Sequence, residues 1–308
     1  MSSLHEGLVV RAHGGHYYVQ SDGELIDCTI RGRLKKRRLK TDLVAVGDRV
    51  RWSSMEEKGK GIIEEVLPRE RVFSRALPAL KPGARPQVEQ VIVANPDQVL
   101  PVFAIRSPRP NTWMLDRFLV ACEAAELPVT IIANKADLIA SEEDREPFRL
   151  YEEIGYQVLY TSALTGQNLD TLYTLLQGKI SVLTGPSGVG KSSLLNALWP
   201  ELNLEVGEIS SYYDGGRHTT VVARLLNPEP GVYVADTPGL RKFFPWDVDP
   251  EQLEAFFPEM RPYLGKCRFT PCTHIHEPGC AVRAAVERGE IARIRYESYL
   301  RMFRYEGL

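Results

Sequence analysis

The segment Gly185-Pro186-Ser187-Gly188-Val189-Gly190-Lys191-Ser192 has the spacing G-x-x-x-x-G-K-S/T. Residue types in this order bind phosphate. The glycines let the backbone wrap an anion so that its N–H groups point inward, and a helix starting there adds partial positive charge. Lys191 is placed to reach β- and γ-phosphates, and the Ser192 hydroxyl to bind Mg²⁺. The expected contact segment runs on to Ser193. An apolar stretch, Ile180–Thr184, precedes it, and a helical pattern, Ser193–Leu198, follows. A strand must therefore deliver the loop and a helix must leave it. Average residue usage yields such a pattern by chance in roughly one chain of this length in a hundred. Alone, it specifies a nucleotide and not a base.

The base is specified by Asn134-Lys135-Ala136-Asp137, at the end of the apolar run Val129–Ala133. A carboxylate accepts hydrogen bonds from both N1–H and the 2-amino group of guanine. Adenine offers neither donor, so the carboxylate would be left unpaired. Lys135 is expected along the base plane, and Asn134 between neighbouring loops. Ser162 and Ala163 follow the run Gln157–Thr161 and can offer a backbone N–H to the guanine oxygen.

Two further segments fit the γ-phosphate end. Asp236-Thr237-Pro238-Gly239 follows Val232–Ala235. Asp236 is expected to hold Mg²⁺ through water, and the Gly239 N–H to touch the γ-phosphate. In the polar loop from Gly215 to Thr220, either Thr219 or Thr220 can complete the Mg²⁺ shell. Such loops order and disorder with the γ-phosphate. Ras-like enzymes place a water-orienting glutamine directly after the D-x-x-G glycine. Here Leu240 stands there, so His218 is the nearest candidate by sequence for that role. Each short motif alone reads equally well as a polar loop. All of them on fitting strands imply GTP and Mg²⁺.

The order of these motifs is informative. The base motifs precede the phosphate loop, whereas Ras-like chains run the other way. The same site assembles if the old termini are joined and the chain is cut after Gly239.

Cys267, Cys272 and Cys280, with His274 or His276, suit tetrahedral zinc in a reducing compartment. The segment is poor in large apolar residues, so little core is expected there without a metal. Cys28 and Cys122 read as core residues.

The elements that must position these groups follow from composition and period. The chain has 308 residues and a formal net charge of −2, so it is no polycation and has room for two or three domains. Residues 1–75 carry short β-rich runs separated by glycine turns, as in an OB-type β-barrel, with an SH3-like barrel nearly as good a fit. Residues 76–87 read as a Pro/Gly linker. From 88 to 245, apolar strands alternate with helices, including Asn111–Glu126 with Leu115, Phe118, Leu119 and Cys122 on one face. That pattern implies an α/β P-loop domain with a mostly parallel sheet. Residues 246–308 read as a mostly helical metal-binding unit. Neither a secretory leader nor a membrane span is expected. Seven of the ten residues Arg31–Lys40 are basic, and the tail adds Arg283, Arg288, Arg293, Arg295, Arg301 and Arg304. Both regions are expected to face RNA.

These motifs, in this order over the full length, resemble the ribosome small-subunit-dependent GTPase A family of circularly permuted bacterial GTPases. The resemblance implies a multidomain chain: an OB-fold, a circularly permuted GTPase domain and a zinc domain holding one Zn²⁺ through Cys267, Cys272, His274 and Cys280. It selects His274 over His276, and it puts Lys191, Thr219, Thr220 and His218 at the catalytic end. It further implies a cytoplasmic monomer that contacts 16S rRNA and acts in late maturation of the 30S subunit, with ribosome-stimulated GTP hydrolysis. A P-loop small-molecule kinase and a non-hydrolysing scaffold are the rival readings. No acceptor-substrate motif supports the first, and intact Lys191, Ser192 and Asp236 argue against the second.

Overall fold

The computed structural model describes residues 4–32, 41–77, 88–205, 224–237, 243–246 and 248–304. The β-rich N-terminus forms β1 (Leu4–His13), β2 (His16–Ser21), β3 (Glu24–Ile30), β4 (Arg49–Ser54) and β5 (Lys60–Val66). Antiparallel pairs join β1 to β2 and β4, β2 to β3, and β4 to β5, while β3 and β5 are parallel. The ring β1-β2-β3-β5-β4 closes on itself in Greek-key order, the OB-type barrel rather than the SH3-like alternative. Val9, Val19, Ile26, Cys28, Val50, Trp52 and Ile63 fill its interior. Gly61 lies inside β5. A Cβ there would stand 2.6 Å from the Trp52 ring and 2.9 Å from Cys28 Sγ, so the glycine makes room for the barrel core.

A bulge between Val9 and Arg11 turns β1, and Arg11 pairs with Arg224 on the neighbouring strand β12 (Arg224–Glu229). The barrel is thereby joined to the edge of the second sheet. Between the two units, β6 (Val72–Ala76) pairs antiparallel with β7 (Glu89–Ala94). Ala76, the first residue of the expected linker, ends β6. Residues 78–87 lie outside the described residues.

The second sheet contains β8 (Gln98–Ala104), β9 (Thr130–Asn134), β10 (Gln157–Thr161), β11 (Ile180–Thr184), β12 and β13 (Val232–Asp236), in the order β10-β9-β8-β11-β13-β12. All pairings are parallel except β12 with β13. Every residue of β8, β9 and β11 is buried, as strands covered on both faces must be. The covering helices are α1 (Thr112–Ala124), α2 (Glu146–Ile154), α3 (Leu169–Leu176) and α4 (Lys191–Leu198). Asn111 caps α1 by accepting from the Met114 N–H at 3.0 Å, and Leu115, Phe118, Leu119 and Cys122 pack into the core. From β8 the chain moves outward to β9 and β10, then returns to β11 on the other side of β8. That reversal opens a crevice at the carboxyl ends of the strands, where such sheets bind ligands.

The C-terminal unit contains short turns of tight helix at Leu253–Phe256 and Pro258–Tyr263, then α5 (Ala281–Glu287) and α6 (Arg293–Phe303). The apolar core of this unit lies outside the Cys267–Cys280 segment: Leu253, Phe257, Met260, Val282, Ile291, Tyr299 and Met302 form one cluster with Val120 of α1.

Arg295 of α6 is 0% exposed. Its guanidinium donates to Asp116 Oδ1 of α1 at 2.5 Å and to Glu259 Oε1 at 2.6 Å. The Tyr151 hydroxyl also donates to Asp116 Oδ1, at 2.7 Å. Replacing Arg295 with Met leaves two carboxylates buried without their cation. The expected cost is about 3–5 kcal/mol of stability. Urea unfolding of Arg295→Met beside the parent measures it, and an unchanged midpoint would remove this triad from the forces joining the units.

Candidate functional site

β11 delivers the phosphate loop into the crevice, and two of its glycines are fixed by close approach. Gly185 has φ +144°, and a Cβ there would lie 2.1 Å from the Val102 carbonyl oxygen of β8. Gly190 has φ +95°, and a Cβ there would meet Asn134 Nδ2 at 2.5 Å. Only glycine tolerates both the conformation and the crowding.

Asn134, at the end of β9, ties three segments together. Its Nδ2 donates to the Val189 carbonyl of the phosphate loop at 2.8 Å, and its Oδ1 accepts from Thr161 Oγ1 of β10 at 3.1 Å. Lys135 follows with φ +63°. Its Nζ donates to the Gly188 carbonyl at 2.7 Å and to the Ser107 carbonyl in the loop after β8. Ala136 and Asp137 open a short turn of tight helix, Ala136–Leu138, which lifts the Asp137 carboxylate to the surface of the crevice. The Ser162 hydroxyl donates to Asp137 Oδ1 at 2.5 Å and accepts from the Thr165 N–H at 3.1 Å. Sequence assigns Ser162 and Ala163 a backbone role only. The side-chain role of Ser162 was missed, since no short-range pattern relates it to a carboxylate 25 residues earlier.

Lys191 opens α4 and is 7% exposed. Its Nζ donates to the carbonyls of Gly185 at 2.8 Å and Pro186 at 3.1 Å. Pro186, Ser187, Gly188 and Val189 form the turn from β11 toward α4, with Ser192 and Ser193 in its first turn. Across the loop, Asp236 ends β13, and its Oδ1 is buried without a hydrogen-bond partner among the described residues. Burial pushes the Asp236 carboxyl up and the Lys191 amine down, and the attraction between their charges opposes both shifts. A buried carboxylate oxygen and a buried hydroxyl at a helix start are the donor types that Mg²⁺ takes, so these residues fit the ion. His218, Thr219, Thr220, Pro238, Gly239 and Leu240 lie outside the described residues.

The second cluster is Cys267, Cys272, His274 and Cys280, whose donor atoms all lie within 4.8 Å of one another. His274 Nδ1 stands 3.5 Å from Cys267 Sγ and 3.3 Å from Cys280 Sγ. His276 is exposed and outside the cluster, so the geometry favours His274. Three sulfurs and one imidazole are compatible with one tetrahedral zinc ion. Local hydrogen bonds build the cradle. Cys280 caps α5 and accepts from the Arg283 N–H at 3.4 Å, and Cys267 Sγ accepts from the Ala281 N–H at 3.3 Å. Burial pushes the Glu277 carboxyl up, but donors from Thr273 and the following backbone N–H groups hold it well below the usual carboxylate range. From α6, the hydroxyls of Tyr296 and Tyr299 donate to the carbonyls of His274 at 2.6 Å and Thr273 at 2.8 Å. Glu254 Oε2 lies 2.6 Å from His274 Nε2, outside the direction of a regular hydrogen bond. It leaves Nδ1 as the nitrogen turned to the sulfurs.

The structure corrects one part of the expected nucleic-acid surface. Arg295 is buried in its ion pairs and cannot meet RNA. Arg288 pairs with Glu290 at 2.6 Å, and Arg301 lies over the Trp113 ring. Of the basic run, residues 33–40 lie outside the described residues.

The family profile described as RsgA GTPase matches residues 66–246, more than half of the chain. The chain belongs to the RsgA GTPase family. A second profile, the RsgA N-terminal domain, matches residues 6–63, which hold the barrel. A protein of Moorella thermoacetica named small ribosomal subunit biogenesis GTPase RsgA is 45% identical, with 96% of this chain and 95% of that one covered. Its namesake in Gemmatimonas aurantiaca is 43% identical over 98% and 97%. Among solved structures, YjeQ from Thermotoga maritima superposes with TM-score 0.74 at 37% identity, covering 99% of both chains. YloQ, described as a circularly permuted GTPase, gives 0.69 at 31%, covering 99% of this chain and 95% of that one. This RsgA-family chain is therefore a GTP hydrolase of permuted order, and the family brings GTP and Mg²⁺ with it. Among the described residues, no helix is long and apolar enough to cross a membrane.

Proposed function

We propose that this chain binds the 30S ribosomal subunit and couples GTP hydrolysis to a late step of its maturation. One observation carries the reading. Asn134 locks the base motif onto the phosphate loop in permuted order, within a chain whose full-length relatives are named small ribosomal subunit biogenesis GTPases. Asn134, Lys135, Ala136, Asp137, Ser162 and Ala163 hold the guanine, with Asp137 reading its N–H groups. The backbone from Gly185 to Ser193 cradles the phosphates. Lys191 exchanges its carbonyl partners for β- and γ-phosphate oxygens. Ser192, Asp236 through water, and Thr219 or Thr220 hold Mg²⁺, which when bound neutralises charge on the β- and γ-phosphates. The Gly239 N–H contacts the γ-phosphate, and His218 orients the attacking water once the subunit is bound. The barrel and the basic run Arg31–Lys40 contact 16S rRNA. The protein acts as a cytoplasmic monomer in three units: 1–75, 88–245 and 246–308.

The test is phosphate release from GTP with and without purified 30S subunits, for the parent and His218→Ala. The parent is stimulated. The variant binds GTP and the subunit but loses most of the stimulation, as expected of a group that acts only in the docked state. Equal stimulation of both would clear His218 and point to a group supplied by the ribosome.

The Cys/His cluster holds one structural zinc through Cys267, Cys272, His274 and Cys280. Elemental analysis of the purified chain should find about one zinc per molecule. Cys272→Ser loses it and lowers the unfolding midpoint of the C-terminal unit. The apolar cluster around Tyr299 keeps α6 in place, so the loss centres on residues 267–280. A metal-free chain with parent stability would contradict the assignment.

A further inference from the structure

Among the described residues two arginines are buried, Arg117 and Arg295. Arg295 meets Asp116 and Glu259, and the partly exposed Arg69 meets Asp48 at 2.7 Å. Arg117 of α1 is 6% exposed, yet among the described residues it makes no ion pair, and its Nε has no hydrogen-bond partner. Its guanidinium carbon lies 5.0 Å from the centre of the Trp113 ring. A second cation, Arg301 of α6, sits 4.2 Å from the same ring centre, again with no ion pair among the described residues. Arg301 is exposed and Trp113 is half-buried, so the cluster reaches solvent at the seam between the GTPase domain and the Cys/His unit. Burial, with the charge of Arg301 added to it, pushes the Arg117 guanidinium down to about 10.

Packing alone does not account for this arrangement. A guanidinium over an indole gains about 0.5–2 kcal/mol. Removing a guanidinium from water beside a like charge costs several kcal/mol unless an anion compensates. The local backbone adds more positive potential, since the first turn of α1 contains no acidic residue to offset its helix dipole. The nearest carboxylate along α1, Asp116, is committed to Arg295. Neither guanidinium has a carboxylate partner among the described residues, so the pair can take up an external anion. Two guanidinium forks around one ring match the oxygens of a phosphate group, which arginine binds bidentately.

We propose that Arg117 and Arg301, both over the Trp113 ring, form a phosphate-binding site separate from the nucleotide crevice, with a backbone phosphate of RNA as its occupant. Only the choice of RNA rests on the ribosome reading above, because free phosphate shares the same chemistry. Phe118, next to Arg117, packs at 4.8 Å on Phe243, which follows the D-T-P-G segment closely in sequence.

The test uses the full chain loaded with GDP and Mg²⁺, so that the phosphate loop is filled. Two probes are titrated, a short labelled single-stranded RNA followed by anisotropy and inorganic phosphate followed by calorimetry. Arg301→Gln should weaken RNA binding about tenfold and lower the slope of log affinity against log salt by about 0.7, the loss of one phosphate contact. Arg301→Lys, which keeps charge without the fork, should recover part of both. Arg117→Gln should match Arg301→Gln. If it misfolds, the exposed Arg301 variants decide alone. GDP affinity should stay at the parent value in all of them. If RNA binding is unchanged but the parent binds phosphate and the variants do not, the site stands with free phosphate as its occupant. If neither probe distinguishes Arg301→Gln from the parent, the proposal is overturned and the cluster is packing only. Because no subunit is present, that failure would leave the ribosome reading untouched.

Discussion

Lys191→Ala is expected to reduce GTP hydrolysis by roughly a thousandfold or more, below detection in a steady-state assay. Lys191 is 7% exposed, and its Nζ rests on the Gly185 and Pro186 carbonyls, inside the loop proposed to hold the phosphates. It is therefore preorganised. No water shell has to be removed from it when GTP enters, and its charge faces the oxygens on which negative charge grows during transfer. Alanine removes the cation and leaves two carbonyls facing the phosphates. Nucleotide affinity should fall too, by about one to two orders of magnitude, the scale of a lost charge-assisted hydrogen bond. The fold should survive, because Asn134 still holds the loop through Val189. Phosphate release and nucleotide titration on the folded variant check both numbers. Near-parent turnover would remove Lys191 from the reaction.

Asp137→Asn is expected to exchange base preference. In the parent, the Ser162 hydroxyl donates to Asp137 Oδ1, which leaves the other carboxylate oxygen for the base. In the variant, the asparagine oxygen keeps the Ser162 hydrogen bond and its amide turns toward the base. An amide donates to the 2-oxygen of xanthine but opposes the 2-amino group of guanine. GTP affinity should fall roughly a hundredfold or more, and XTP should gain over GTP. Competition among GTP, XTP and ATP measures the change. Ser162→Ala provides a second readout. It should weaken GTP modestly without favouring XTP, because Ser162 positions the carboxylate and does not read the base. Unchanged GTP affinity in Asp137→Asn would place the base elsewhere.

The parts of the fold that were legible in sequence are those where pattern and burial coincide. β8, β9 and β11 are buried along their whole length, so apolar runs marked them. The glycines of the phosphate loop were readable because close approach of backbone permits no other residue. β5 was obscured by Gly61, which is there for Trp52 and not for a turn. β12, Arg224-Leu225-Leu226-Asn227-Pro228-Glu229, carries a proline and charged ends, as an edge strand can, and has no clear strand pattern in sequence. Arg295 resembled one more surface cation because its partner Asp116 lies 179 residues away in sequence. Lys135 was read along the base plane. The two carbonyls that hold its amine, Ser107 and Gly188, come from separate loops that only the sheet order brings together.

The same sheet order gives the permutation its physical basis. β9 and β11 flank β8 as parallel neighbours, so the loops at their carboxyl ends meet whichever is synthesised first. The cut then places the segment after Asp236 directly before the C-terminal unit, and α1 touches both through Phe118 and Asp116. A change at the γ-phosphate end thus has a short route to the unit that holds the Cys/His cluster.

Coupling of hydrolysis to the small subunit is read from phosphate release from GTP, followed under single-turnover conditions with the parent protein alone, with purified 30S subunits and with 50S subunits. Release should be slow alone, faster by at least about tenfold with 30S subunits at little change in GTP affinity, and not stimulated by 50S subunits. Equal rates in all three would contradict it.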